Sequence, residues 1–248
     1  MRHSKGLLAG ENAQKNMAMG INIRVFTTNY KFHQMSKYLN LVQEAFSQHL
    51  DEIEKVYEEE ISREMEEEEY YFLKDHYTDK FIEMERDLPD LLLSSFVITW
   101  YSFVEQQLED ICKSFETDIS APENIKHDKG IRRSRKILLT IAKYEINSAD
   151  WQELVKIGGL RNLLVHTGNR LNGSLFRSTG KEISLVSEVG NTYYFSIEPS
   201  FLSYLKKHKL LEHTGFSLNI FPTFSYCDYL VEFGRSLLIR LYSDLDIK

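Results

Sequence analysis

The sequence predicts an all-α protein: one helical domain carrying a small β-hairpin insertion. Three observations point there. The 248 residues contain only four prolines, which leaves room for long periodic segments. Apolar residues recur at steps of three and four through most of the chain. One stretch, 182–198, breaks that rhythm with β-branched and aromatic residues on either side of Glu188-Val-Gly-Asn191.

There is no internal repeat and no low-complexity linker, so a single domain is expected over 31–248. Residues 1–30 are expected to form a poorly ordered leader. Their basic start lacks the apolar run of a signal peptide. Tyr38, Leu39, Val42, Phe46, Leu50, Ile53 and Val56 or Tyr57 then step helically, and the pattern resumes at Tyr70–Phe72 and Phe81–Met84. The reading is one long acidic helix over 38–86, broken, if anywhere, near residue 70. Its segment DEIEKVYEEEISREMEEEE, 51–69, reads as a solvated face, with a docking surface for a basic partner as the alternative.

Core helices are expected over 89–170. Asp87-Leu-Pro89-Asp90 looks like a helix start, an acid cap followed by proline in the first turn, where its missing N–H costs nothing. The helix from 89 to 117 carries a broad apolar stripe that includes Leu93, Val97, Trp100, Tyr101, Val104, Leu108 and Ile111. Glu105 stands at the border between that stripe and a polar one. Residues 121–130 read as a loop and 131–145 as a helix. Ser148 or Asp150 caps the next helix, 150–167, and Gly168 suits its C-terminal cap. After the hairpin at 182–198, Pro199 opens a short helix and a final amphipathic one runs from about Pro222 to Tyr242, so that 199–244 closes the domain with helices.

Two cysteines, Cys112 and Cys227, make no disulfide framework, and no Cys-x-x-Cys pair suggests zinc. Cys112 falls in an apolar pattern and reads as a small core residue. No run of about 18 apolar residues occurs. A cytoplasmic protein without a membrane partner is expected. There is no His-Glu-x-x-His pair and no Walker-type loop, so no metal or other cofactor is expected. The net charge of −7 argues against nucleic-acid binding over the whole surface. The charge is segregated, however. KHDKGIRRSRK, 126–136, is as basic as 51–69 is acidic, so a local anion site is compatible with an acidic whole. Lys126, Lys129, Arg132, Arg133, Arg135 and Lys136 are candidates for holding an RNA backbone. The alternative is a solvated helix start, or pairing with the 51–69 acids.

The segment GGLRNLLVHTG, 158–168, sets Arg161, Asn162 and His166 among aliphatic residues behind two glycines. A helix advances about 100° per residue, so Gly158, Asn162 and His166 share a face and Arg161 can swing toward it. The glycines would let a second backbone approach, or leave space for a phosphate, which would justify a cost of roughly 1 kcal/mol each. In the alternative, His166 is favoured by the helix dipole and Arg161 pairs with a surface acid.

Arg161-Asn162-Leu-Leu-Val-His166 resembles the Arg-polar-x-x-x-His signature of the HEPN superfamily (higher eukaryotes and prokaryotes nucleotide-binding domains). The upstream SSFVITWYSFVEQQLEDIC is similar to the aromatic-rich earlier HEPN core helix, with its mid-helix Glu. The resemblance covers roughly 89–170 and the closing helix at 222–242. It implies an up-and-down helical bundle that dimerises so that two Arg…His motifs meet. It implies a metal-independent endoribonuclease, of the kind found as toxins or antiphage effectors, acting on RNA as a homodimer under an antitoxin or other regulatory protein. Other HEPN proteins have lost the motif and only bind or scaffold, so a non-catalytic RNA- or nucleotide-binding module, or a protein-interaction module, is the alternative. Some toxin relatives carry a modifiable Tyr two residues after the His; here that position is Gly168.

The chemistry is consistent with that implication. An imidazole, with an intrinsic pKa near ~6.5, can give or take a proton at neutral pH, the role expected of His166. Arg161 would fork onto phosphate oxygens as charge builds. Asn162 would orient the phosphate or the histidine. Glu105 would steer His166 or act as a base, or else be a surface residue. Tyr193, Tyr194 and Phe195 of the hairpin could stack on bases or pack on the bundle.

Overall fold

The structure, a computed structural model, describes residues 22–115, 128–167, 182–186, 192–196, 198–214 and 217–247. Over these the chain is mostly helical, with seven α-helices, one π turn and two small antiparallel hairpins. It divides into two compact units where the sequence pattern suggests one domain. The first holds Met1–Met35, Glu105–Ile146 and Glu232–Lys248; the second holds Ser36–Val104 and Asn147–Val231. No linker marks the division in the sequence, because three helices pass through it unbroken.

Helix α1 spans Ile23–Ile61 and so begins inside the expected leader. Asn22 is the reason: its Oδ1 accepts the backbone N–H groups of Arg24 and Val25 at 3.0 and 3.1 Å. The long acidic helix of 38–86 is corrected to two helices, because the chain leaves helix at 62–66 before α2, Glu67–Ile82. The break divides the glutamates in a way the helix dipole favours. Glu67, Glu68 and Glu69 fill the first turn of α2, where negative charge stabilises. Within the second unit α2 packs on α1 through aromatics. Tyr57 meets Tyr77 and Phe81 with ring centroids 5.1 and 6.4 Å apart, and the Tyr77 hydroxyl donates to Glu60 at 3.0 Å. A one-dimensional periodicity cannot show that return.

The expected start at Asp87–Asp90 is corrected too. The chain stays helical through a π turn, Glu83–Asp87, into α3, Leu88–Lys113. The Leu88 N–H reaches back five residues to the Glu83 carbonyl. Pro89 lacks the N–H an α-turn needs, and a widened turn upstream lets the helix accommodate it. Helix α4 is Gly130–Thr140 and α5 is Ser148–Thr167. Neither Ser148 nor Asp150 caps α5: the Asn147 side chain accepts the Ala149 N–H at 2.8 Å.

Strands β1, Glu182–Val186, and β2, Thr192–Ser196, pair antiparallel with Ser184 opposite Tyr194, as the hairpin pattern predicts. Helix α6 is Pro199–Lys207. The closing segment 199–244 is not wholly helical. Strands β3, Leu211–Thr214, and β4, Ser217–Ile220, form a second hairpin before α7, Phe224–Asp244. Leu218 and Ile220, two apart, are buried, which is the strand period.

The second unit buries Leu93, Val97 and Trp100 of α3 and Leu154, Ile157 and Leu160 of α5. The two glycines of the motif helix are packed, not open. A Cβ on Gly158 would lie 2.7 Å from the Tyr101 hydroxyl and 3.1 Å from its ring, and one on Gly159 would lie 3.3 Å from the Phe201 ring. The phosphate space expected behind the motif is therefore occupied by aromatic rings. Gly158→Ala is expected to destabilise by about 1–2 kcal/mol, overpacking against buried Tyr101 outweighing the ~1 kcal/mol helix-propensity gain. Tyr101→Phe, which removes the nearest atom, should return part of that loss in a double-mutant melting cycle. Equal losses in both backgrounds would refute this packing account.

The first unit buries Leu108 and Ile111 of α3, Ile131, Ile137 and Leu138 of α4, and Leu237 and Leu241 of α7. Cys112 lies in this core as expected, its Sγ 3.4 Å from the Ser134 carbonyl oxygen.

Candidate active site

Helix α5 presents the motif by amphipathic division. Leu160, Leu163 and Leu164 are buried, whereas Asn162, Val165 and His166 are exposed and Arg161 is half-buried. Val165, aliphatic though it is, is 43% exposed. The Arg161 Nη1 donates to the Asn162 Oδ1 at 3.0 Å. This bond turns the guanidinium toward the face that Asn162 shares with His166, one turn further on. The Arg161 Nε is buried and has no acceptor among the described residues. A buried cationic N–H without an acceptor is costly. No carboxylate among the described residues pairs with Arg161.

Glu105 belongs to the first unit, and its environment there is specific. The Glu105 Oε1 lies 2.2 Å from where a Cβ would stand on Gly130, whose φ of +59° is a glycine conformation. Its carboxylate thus sits at the N-terminus of α4, where negative charge is favoured. Of the basic candidates, Lys129 and Arg132 are exposed, and Arg133 and Arg135 are half-buried. Lys136 forms an ion pair with Asp128. Lys126 lies outside the described residues, as do Gly168 and the side chains of Tyr193, Tyr194 and Phe195. On α4 the apolar residues Ile131, Ile137 and Leu138 are buried, so the arginines and lysines stand on the other side of an amphipathic helix.

A second polar constellation is one the sequence pattern does not reveal. Glu153 of α5 accepts a hydrogen bond from the Tyr229 hydroxyl at 2.7 Å and lies 3.9 Å from the His208 Nε2. His208 is enclosed by the rings of Tyr204, Tyr226 and Tyr229, with centroids 4.6, 5.3 and 4.7 Å away. The Tyr204 and Tyr226 hydroxyls bond to each other at 2.9 Å. The available signal is spacing: Tyr204 and His208 are one turn apart, and so are Tyr226 and Tyr229. Burial pushes both bonded phenols up. Burial, with the nearby Lys207 and Lys156 charges, pulls the imidazole of His208 below its ordinary value against the opposing pull of Glu153.

That direction sets a pH dependence. A base whose folded pKa is depressed contributes stability that is complete above its unfolded value, near ~6.5, and is lost as pH falls toward the folded value. The melting temperature should therefore drop on acidification below about pH 6.5, and His208→Gln should flatten this step. An unchanged pH profile in that variant would exclude His208 as the source.

Among the described residues no three His, Cys, Asp or Glu side chains stand together as a metal-holding group. Nor is any helix among them long and apolar enough to cross a membrane. Fold and site together define a mostly helical protein in which Asn162 and His166 face solvent on one helix beside a half-buried Arg161. The chain matches no family model, no curated protein and no solved structure.

Proposed function

We propose that this chain is an endoribonuclease of the HEPN type, cleaving RNA without a metal ion. The observation that carries the reading is the hydrogen bond from the Arg161 Nη1 to the Asn162 Oδ1, which holds the guanidinium beside Asn162, itself on the exposed helix face shared with His166. In this reading a phosphodiester docks on Arg161, which stabilises the charge that builds on the phosphoryl oxygens. An imidazole takes the proton from the ribose 2′-hydroxyl, and the 2′-oxygen attacks the neighbouring phosphorus. The bond from phosphorus to the 5′-oxygen breaks, and that oxygen is protonated by an imidazolium, supplied in a homodimer by the second His166. The products are a 2′,3′-cyclic phosphate and a 5′-hydroxyl. The exposed cations of α4 would hold the RNA backbone, with salt-sensitive affinity. A toxin or antiphage effector restrained by an antitoxin or other regulatory protein, acting in the cytoplasm, is the biological form of this reading.

The test is incubation of the purified full chain with total RNA in EDTA, followed by a gel and end-group analysis. Cutting that leaves cyclic phosphate supports the reading. RNA binding without cutting would replace it with a non-catalytic binding module, and absence of both would refute it.

A further inference from the structure

The second unit contains a cavity of about 560 Å³ that uses none of the α5 residues discussed above. Its floor is apolar, formed by Phe46, Leu50, Met84, Leu93, Phe221 and Phe224. Phe46 and Phe224, both in its lining, meet edge to face with ring centroids 6.5 Å apart. The volume and the apolar lining fall within the range of small-molecule sites, roughly 300–1,000 Å³.

The polar groups at this cavity are unevenly charged. Glu85, Asp90 and Glu212 contribute carboxylates, and Arg86 contributes a guanidinium. Arg86 already has a counter-ion, because its Nε donates to the Asp87 Oδ1 at 2.9 Å. Glu85 and Glu212 are exposed at the lip and appear in no ion pair among the described residues. The lip is thus net negative above an apolar floor.

The backbone of the lip is also unusual. Met84, Glu85 and Arg86, three consecutive lining residues, lie in the π turn Glu83–Asp87. Three consecutive residues of a regular helix spread over about 200°, and the widened turn narrows that spread toward one side. Such turns cost helix hydrogen-bond geometry and occur frequently at functional sites. Here the turn adds Met84 to the floor and Glu85 to the lip.

We propose that this cavity binds a small organic cation: an amine or quaternary ammonium group at the Glu85–Glu212 lip, on an aromatic or aliphatic body that packs against Phe46 and Phe224. Charge decides against the anionic counterpart. A carboxylate on the same body would meet two carboxylates whose charges no ion pair offsets, with the one guanidinium engaged by Asp87. The volume is that of a site for a single small ligand.

The test compares two probes with the same apolar body and opposite charge, 4-phenylbutylamine and 5-phenylpentanoate, on the full chain by calorimetry and thermal shift. The amine is expected to bind saturably and raise the melting temperature, and the carboxylate to do neither. Glu85→Gln with Glu212→Gln should weaken amine binding about fivefold, the scale of two partly screened charge contacts. Leu50→Trp, which fills the floor from a half-buried position, should abolish it. His166→Ala should bind the amine like the wild type, so this result stands whether or not the chain cuts RNA. Equal binding of both probes, unchanged affinity in the double glutamine variant, or no amine binding up to its solubility limit would each overturn the proposal.

Discussion

His166→Ala is expected to abolish RNA cleavage, lowering the rate by about 10²–10⁴-fold, the usual contribution of a positioned general acid or base. Because His166 is exposed, its loss should leave the melting temperature within the small range of surface substitutions. That separation is what makes the variant informative: lost cutting with intact folding points to chemistry. Arg161→Ala should cost about 10²–10³-fold, as removal of one transition-state donor does, and Arg161→Lys should restore only part, since an ammonium keeps the charge and loses the fork. Asn162→Ala should have a smaller effect, because it frees the guanidinium that the Asn162 Oδ1 holds without removing it. The measurement is single-turnover cleavage of labelled RNA in EDTA, with circular dichroism melts of each variant. His166→Ala cutting at the wild-type rate would end the nuclease reading.

The largest expected effect on folding is that of Trp100→Ala. Trp100 is 0% exposed and is the largest fully buried side chain among the described residues. Removing it forfeits the transfer free energy of the indole and leaves a cavity the neighbours only partly fill, at about 3–5 kcal/mol. For a chain of this length each kcal/mol shifts the melting temperature by roughly 2–4 °C, so a fall of about 6–20 °C is expected. Trp100→Phe, which keeps much of the volume, should cost less than half as much. Phe26, 66% exposed, provides the contrast: Phe26→Ala should change stability by less than about 0.5 kcal/mol. Similar shifts for the two alanine variants would contradict the burial pattern.

Periods of three and four located the helices that became α3 and α7 to within a few residues, because each has an apolar stripe wide enough to register, and α5 was located from its flanking cap candidates. The β1–β2 hairpin was legible from its β-branched and aromatic runs. The β3–β4 hairpin was not, since each strand has four residues and too few alternations to stand out. The start at Pro89 misled because proline marks a helix beginning far more often than a π turn. Arg161, Asn162 and His166 could be proposed from spacing, whereas the exposure of Asn162 and His166 and the half-burial of Arg161 are set by what packs on α5. The filling of Gly158 and Gly159 by Tyr101 and Phe201 was not foreseeable, because those rings come from elements about 57 and 42 residues away in sequence.

Local pattern therefore determined the helical class and the spacing that sets Asn162 and His166 on one face of α5. Those are properties of consecutive residues and a fixed turn angle. Only the tertiary structure decided what covers the glycines, that Glu105 lies on Gly130, that Glu153 meets Tyr229 and His208, and that a widened turn opens beside Phe46 and Phe224. Each of these depends on segments that approach through folding, and a one-dimensional period carries no information about which distant side chain arrives.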